Sequence, residues 1–307
     1  MKITIIGAGI SGLATAYVLL KQDHSVKIIA KDISPDITSN RAAAFWFPYH
    51  IRNDKRGINW CRRSYEIYQM LAQDLATGVS MRQLLKVVRQ GVEEQELTWF
   101  SFMPDGCYRI MEPRELLPGY KTGYEVQVPL IETQIFLPWL MQELSKENVA
   151  IEKRVVQSFS EINDADVIIN CSALGAQQLC NDTEMIPVRG QVGLLEPKKT
   201  YSVFLDNELP LYIVYRKDAI IIGGTYEEGV TTAVTEPETI EQLLENAYTV
   251  FPELRSQKVK GSWAGIRPYR LRVRVEKEGN VIHNYGHGGS GFTIAWGCAE
   301  EVATLIN

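Results

Sequence analysis

The sequence predicts an α/β fold: a nucleotide-binding domain assembled from separated segments, with a second domain inserted between them. Three observations carry this. A strand–glycine–helix–strand unit opens the 307-residue chain. A run that is apolar at nearly every position lies near its middle, and a second strand–glycine–helix junction closes it.

In the opening unit Lys2–Ile6 reads as a strand, Gly7-Ala8-Gly9-Ile10-Ser11-Gly12 as a turn, Leu13–Lys21 as a helix with an apolar face, and His24–Ala30 as a second strand. In this G-x-G-x-x-G spacing the first glycine allows the tight turn and the second lets the backbone approach a pyrophosphate. The third lets the helix pack close to the sheet. The helix start adds free N–H groups and the positive end of its dipole, so the motif predicts dinucleotide binding. An acidic residue is expected at the end of the second strand to hold a ribose. Lys31 stands there and Asp32 follows. Asp32 is therefore the candidate ribose ligand, and Lys31 is read as a surface strand end or a phosphate or ribose contact.

The later elements follow in order. Residues 51–134 are rich in aromatics, Pro and Met and show no strong period. Ile135–Lys146 returns to helical spacing. Asp166–Asn170 reads as a strand buried on both faces. Tyr212–Tyr215 and Ala219–Ile222 flank Arg216-Lys217-Asp218, which predicts a hairpin. Thr235-Glu236-Pro237-Glu238 predicts a helix start, with Thr235 as cap, Pro237 in the first turn and Glu238 completing a capping box. Val281–Tyr285 reads as a strand, Gly286–Gly291 as a glycine-rich turn and Phe292–Leu305 as the last helix. Arg270, Arg272 and Arg274 alternate on one strand face, which predicts a solvated face, with Arg274 the candidate among them for a cofactor contact.

Composition narrows the function. Hydrophobic residues make up 45% and charged residues 22%, enough for a sizeable core. A net charge of −5 gives no broad basic field for nucleic acid or an anionic membrane. The first apolar run, Ile3–Ile6, is too short to span a bilayer, and a strand at the N-terminus is unlike a secretory leader. Five cysteines at 61, 107, 171, 180 and 298 include no C-x-x-C pair, so reduced thiols in a cytoplasmic protein are expected. No metal-ligand cluster and no Ser–His–Asp set stands out.

Several motifs together resemble the D-amino-acid oxidase family of flavoproteins. They are Arg41-Ala42-Ala43-Ala44-Phe45-Trp46-Phe47-Pro48-Tyr49, Val188-Arg189-Gly190-Gln191, Tyr212-Ile213-Val214 with Gly223-Gly224, and Gly265-Ile266-Arg267-Pro268. The longest is Val281-Ile282-His283-Asn284-Tyr285-Gly286-His287-Gly288-Gly289-Ser290-Gly291-Phe292-Thr293. The resemblance covers essentially the whole chain. It implies FAD, a Rossmann-like FAD-binding domain (1–50, 135–190 and 261–307) and an inserted substrate domain dominated by an antiparallel sheet (51–134 and 191–260). It also implies that Thr38, Ser39, Arg41, Ala42 and Ala43 lie along the FAD. Val156 would present its backbone to the adenine, and Ser172 would sit near the phosphates.

The resemblance implies a substrate carboxylate held by Arg267 and the Tyr212 hydroxyl, and a planar guanidinium suits that task because it donates two parallel hydrogen bonds. With the amine already neutral, hydride transfer from Cα to flavin N5 needs no enzymic base, only alignment within about 3–3.5 Å. O2 would re-oxidise the flavin to give hydrogen peroxide, and the imino acid would hydrolyse to a 2-oxo acid and ammonia. Reduced flavin gains negative charge near N1, which the backbone N–H groups of Gly289, Ser290, Gly291, Phe292 and Thr293 suit. Gly288 and Arg267 complete the cofactor-facing set, and Gly289 joins Arg267 and Tyr212 as a catalytic candidate. His283 and His287 flank this loop and are read as structural.

Phe45, Phe47, Tyr49, Val214 and Ser290 are expected around the substrate side chain, an apolar lining that favours neutral and hydrophobic D-amino acids over acidic ones. Tyr226 replaces an arginine of the family branch that oxidises acidic substrates, while Arg216 at the hairpin turn is a candidate positive group in the pocket. Asp206–Leu211 is short and holds no tyrosine, so against the family pattern the lid is expected to be shortened and its second tyrosine missing. The alternatives are a glycine- or sarcosine-type oxidase, a non-catalytic FAD-binding sensor, which would need no substrate clamp, and last an NAD-dependent dehydrogenase. The partners expected are a small-molecule D-amino acid and O2, and a homo-oligomer is compatible with the sequence.

Overall fold

The structure, a computed structural model, describes residues 1–91, 98–198 and 202–306. In chain order its strands are β1 (Lys2–Ile6), β2 (Ser25–Ala30), β3 (Val79–Arg89), β4 (Tyr108–Ile110), β5 (Tyr120–Ile131), β6 (Ala150–Lys153), β7 (Val167–Asn170), β8 (Ile186–Leu195), β9 (Ser202–Asp206), β10 (Leu211–Tyr215), β11 (Ile220–Gly223), β12 (Glu227–Glu228), β13 (Val259–Glu278) and β14 (Val281–His287). The helices are α1 (Ile10–Leu20), α2 (Lys55–Leu71), α3 (Thr133–Lys146), α4 (Ala176–Leu179), α5 (Pro237–Val250) and α6 (Gly291–Ile306).

All strands join one sheet in the order β4-β5-β3-β9-β10-β11-β8-β13-β14-β7-β1-β2-β6, with β12 attached to β8. At one end β14, β7, β1, β2 and β6 run parallel. There β1 buries four of its five residues and β7 all four, as strands covered on both faces do. Towards the other end the pairing is antiparallel, apart from β3 beside β9. The fold is thus mixed α/β with a Rossmann-like parallel part and a large antiparallel part. The long β13 belongs to both: it pairs with β8 from Val259 to Tyr269 and with β14 to Glu278, with a register shift between Tyr269 and Arg274.

Buried helices cover the parallel end. α1 packs on α6, and α6 on α2. An added Cβ on Gly297 would come closer than 3.0 Å to the Trp60 backbone, so a glycine is what lets α6 and α2 approach. α5 lays Leu243, Leu244 and Ala247 on Ile213, Ile222 and Leu195 of the antiparallel part.

Two elements differ from the sequence reading. The middle region contains α2 and the long hairpin β3–β5. α2 buries Gly57, Trp60, Cys61, Ser64, Tyr65 and Tyr68, a helical stripe in small and aromatic residues rather than aliphatic ones, and the Asp54 side chain caps it by accepting from Gly57 N at 2.9 Å. At α5 the cap residue is Glu236, not Thr235, and no capping box forms. The Thr235 hydroxyl bonds Ser262 at 3.0 Å, and the Glu236 carboxylate is drawn to Arg189 instead at 2.5 Å.

Candidate active site

The first glycine turn is built as its residues dictate. Gly7 has φ 111°, a conformation other residues rarely adopt, and an added Cβ there would come closer than 3.0 Å to the Cys171 carbonyl. A Cβ on Gly12 would strike the Gly7 carbonyl. α1 starts after Gly9, and Ile10 N donates to the Ser39 hydroxyl at 3.1 Å.

A relay then links this helix start to the second glycine turn. The Thr15 hydroxyl donates to Ser11 O at 2.8 Å, Asn284 Nδ2 donates to Thr15 Oγ1 at 3.1 Å, and His287 Nε2 lies 3.0 Å from Asn284 Oδ1. Burial pushes the His287 imidazole down to about 4, so it is neutral at pH 7.

Both helix starts face one cavity of about 490 Å³. Gly9, Ile10 and Ser11 stand at one wall and Gly288, Gly289, Gly291, Phe292 and Thr293 at another, with Thr38, Ser39, Arg41, Ala42 and Ala43 between them. Phe45, Phe47, Tyr49, Tyr212 and Arg267 close the far end. Clustered glycine backbone and two convergent helix N-termini are the donor set that a pyrophosphate and an electron-rich ring require, so the residues present fit FAD. Among the described residues no cluster of His, Cys, Asp and Glu could hold a metal ion.

The far end is arranged around Arg267. Its Nη1 donates to Thr225 O at 2.9 Å, and no carboxylate among the described residues pairs with it. Clearance for it comes from Gly190, where an added Cβ would come closer than 3.0 Å to the guanidinium. Gly223 and Gly224 do the same for Tyr212, whose ring lies across them. Thr225 is fixed in turn: Gln191 N donates to its hydroxyl at 3.0 Å, and that hydroxyl bonds Glu227, which also pairs with Arg189. Burial raises the Tyr212 phenol and the neighbouring Arg267 opposes the rise. Burial likewise raises Tyr49, again opposed by Arg267. Both phenols keep their protons at neutral pH and remain donors. Among the described lining residues the one acid, Asp206, is committed to Arg89 and to the Tyr120 hydroxyl, each at 2.8 Å.

Other sequence candidates lie around the cavity rather than on its wall. Gly7, Ala8 and Gly12 form the turn behind Gly9. Ser172 sits between lining residues Cys171 and Ala173, with its hydroxyl on Asn170 Oδ1 at 2.6 Å. Lys31 is exposed and Asp32 half-buried just beyond β2, and Val156 is buried against Ile6 and Ile29.

Four expectations are corrected. Val214 is fully buried in the core with Val192, Val203 and Ile221, not on the cavity wall. Arg216 points away: it binds Asp218 at 2.6 Å, the Thr133 hydroxyl at 2.9 Å and Ala42 O at 3.1 Å, so it brings no charge to the pocket. The Ser290 side chain turns from the cavity to bond Tyr49 O at 2.5 Å. Arg270 and Arg274 are not solvated; 15% and 13% of their side chains are exposed, and they pair with Asp182 and with Glu276, while only Arg272 stays in solvent. The register shift in β13 breaks the alternation, and Arg274 reaches the Tyr285 hydroxyl at 2.7 Å rather than the cavity wall.

The sequence reading missed His50, Thr225, Leu205 and Pro210, all of which line the cavity. The signal for Thr225 was its place directly after Gly223-Gly224. Leu205 and Pro210 flank the turn 207–210, which joins β9 to β10 directly in the segment where the sequence reading expected a shortened lid.

A strand–glycine–helix cavity shared with an arginine that has no carboxylate partner among the described residues fits a flavoprotein-type oxidoreductase site, and the comparisons agree. The family model described as DAO, FAD dependent oxidoreductase, matches residues 2–305, and the chain belongs to this family. It is 35% identical to a D-amino-acid oxidase of Rubrobacter xylanophilus, over 99% of this chain and 95% of that protein. It is 32% identical to a D-amino-acid oxidase of Streptomyces coelicolor over 100% and 97%, and 28% identical to a human D-aspartate oxidase over 100% and 94%. Among solved structures it is similar in fold to a glycine oxidase from Geobacillus kaustophilus, with TM-score 0.82, 18% identity and coverage of 99% and 94%.

Proposed function

We propose that this protein is a D-amino-acid oxidase, converting D-amino acids with O2 and water to 2-oxo acids, ammonia and hydrogen peroxide. The observation that carries the reading is the Arg267 guanidinium, without a carboxylate partner among the described residues, beside the Tyr212 phenol in the cofactor cavity. A cation desolvated in this way is stabilised by an anion from outside, and a substrate carboxylate completes the pair. The full-length similarity to proteins named D-amino-acid oxidase supports it.

Bound FAD supplies an acceptor for a hydride and hands the electrons to O2. The chain's own groups do the rest. Arg267 and Tyr212 fix the carboxylate, which orients Cα. Phe45, Phe47, Leu205 and Pro210 exclude water around the side chain and favour neutral and hydrophobic substrates. Among the described lining groups Asp206 is committed and His287 already bonds Asn284, while His50, its imidazole held below the usual range by burial, packs against Tyr49 and Tyr226. With the substrate amine bound in its neutral form, the transfer asks no base of the protein. We assign the parallel end of the sheet to cofactor binding and the antiparallel end to the substrate.

A peroxide assay over D- and L-forms of Ala, Val, Phe and Asp tests the reading. Peroxide from the D-forms of Ala, Val and Phe, with D-Asp poor and L-forms inert, is the expected pattern. Peroxide from L-forms or from glycine alone would overturn it, and a strong D-Asp preference would overturn the apolar pocket.

A further inference from the structure

A carboxylate offers about four lone-pair directions. Arg267 in bidentate geometry and the Tyr212 phenol would account for three, which leaves one acceptor site. Tyr49 lines the same cavity beside Arg267. Its ring and the Arg267 side chain meet over the same backbone atom: an added Cβ on Gly289 would touch Tyr49 Cδ1 at 3.0 Å and Arg267 Cδ at 3.4 Å.

The ring is held rather than loose, although it is 40% exposed. Ser290 bonds its backbone twice, accepting from Tyr49 N at 3.3 Å and donating to Tyr49 O at 2.5 Å. The His50 imidazole packs edge-on against it, with centroids 4.3 Å apart at 80°, and His50 stacks on Tyr226 at 4.8 Å and 15°. An exposed tyrosine fixed by a buried serine and two further rings is pre-organised, so its hydroxyl loses little entropy on binding.

We propose that Tyr49 is the second phenol of the carboxylate clamp, donating its hydroxyl to the substrate beside Arg267, and that Ser290 is the residue that positions it. This rests on the reading of Arg267 as the carboxylate site. The clamp therefore draws on two elements: β10 supplies one phenol, and the chain leading into α2 supplies the other.

The test uses the flavin-loaded enzyme and propionate, which is D-alanine without its amine, followed by the visible spectrum of the bound flavin. Tyr49→Phe is expected to weaken propionate and raise KM for D-alanine by about ten- to hundredfold, the cost of one hydrogen bond to a charged group. Because the bond is made in ground and transition states alike, kcat should change less than about threefold. Ser290→Ala should weaken propionate in the parent but add nothing in the Tyr49→Phe background, a coupling that a merely structural serine would not show. Parental propionate affinity in Tyr49→Phe overturns the proposal while leaving Arg267 in place. Arg267→Ala binding propionate like the parent overturns the underlying reading itself.

Discussion

An added methyl group at Gly190 would fall on the Arg267 guanidinium, and one at Gly223 on the Tyr212 ring. Gly190→Ala is expected to displace the arginine and raise KM for D-alanine at least tenfold while the protein keeps its FAD and fold. Unchanged kinetics would show that the backbone at Gly190 is not the floor under Arg267. This dependence was half legible in the sequence: R-G-Q and G-G could be matched to motifs, but the atoms that need their clearance lie 77 and 11 residues away in the chain. Nor could a pattern show that Val214, Arg216 and Ser290 face away from the cavity, because strand position and a turn residue's partner decide it. His287 makes a pH prediction. Its folded-state value of about 4 lies below the ordinary imidazole range near 6.5, so the unfolded chain binds more protons between these values. Stability is present above about pH 6.5 and is lost as pH falls towards about 4. His283, also lowered by burial, acts in the same sense. Thermal unfolding of His287→Gln should fall less than the parent between pH 7 and 5, and parallel curves would contradict this.

Among the elements, the first glycine turn and the last helix were the most legible, because strand, glycines and helix follow one another within a few residues and their geometry is local. α2 and β3 were not. α2 packs through Gly, Ser, Cys and aromatics, and β3 carries Arg82, Gln83 and a buried Lys86, which masks its alternation. The Ser11–Thr15–Asn284–His287 relay ties the two helix starts of the proposed cofactor seat together, although about 270 residues separate them in the chain. Gly12→Ala would force a Cβ into the Gly7 carbonyl. The purified variant is expected to be colourless or to lose its flavin on dialysis, and full flavin content would contradict the role of this close contact.

For the molecule as a whole, the proposed cofactor seat falls at the parallel end of one sheet and the proposed substrate clamp where β13 crosses to β8. The cavity lies at that crossing, lined by Asn207 and Pro210 of the short turn between β9 and β10. Turnover should therefore not be limited by a lid, and raising solvent viscosity should leave kcat nearly unchanged; a proportional fall in kcat tied to product release would contradict it. The central claim is that Arg267 holds the carboxylate that brings Cα to the flavin. It is tested most directly by anaerobic mixing of flavin-loaded protein with D-alanine while the flavin's visible absorbance is followed. The parent should bleach, and Arg267→Ala should keep its flavin but bleach at least a thousandfold more slowly at the same substrate concentration, as loss of a charged bidentate contact in a dry site predicts. Bleaching of Arg267→Ala at the parental rate would contradict the account.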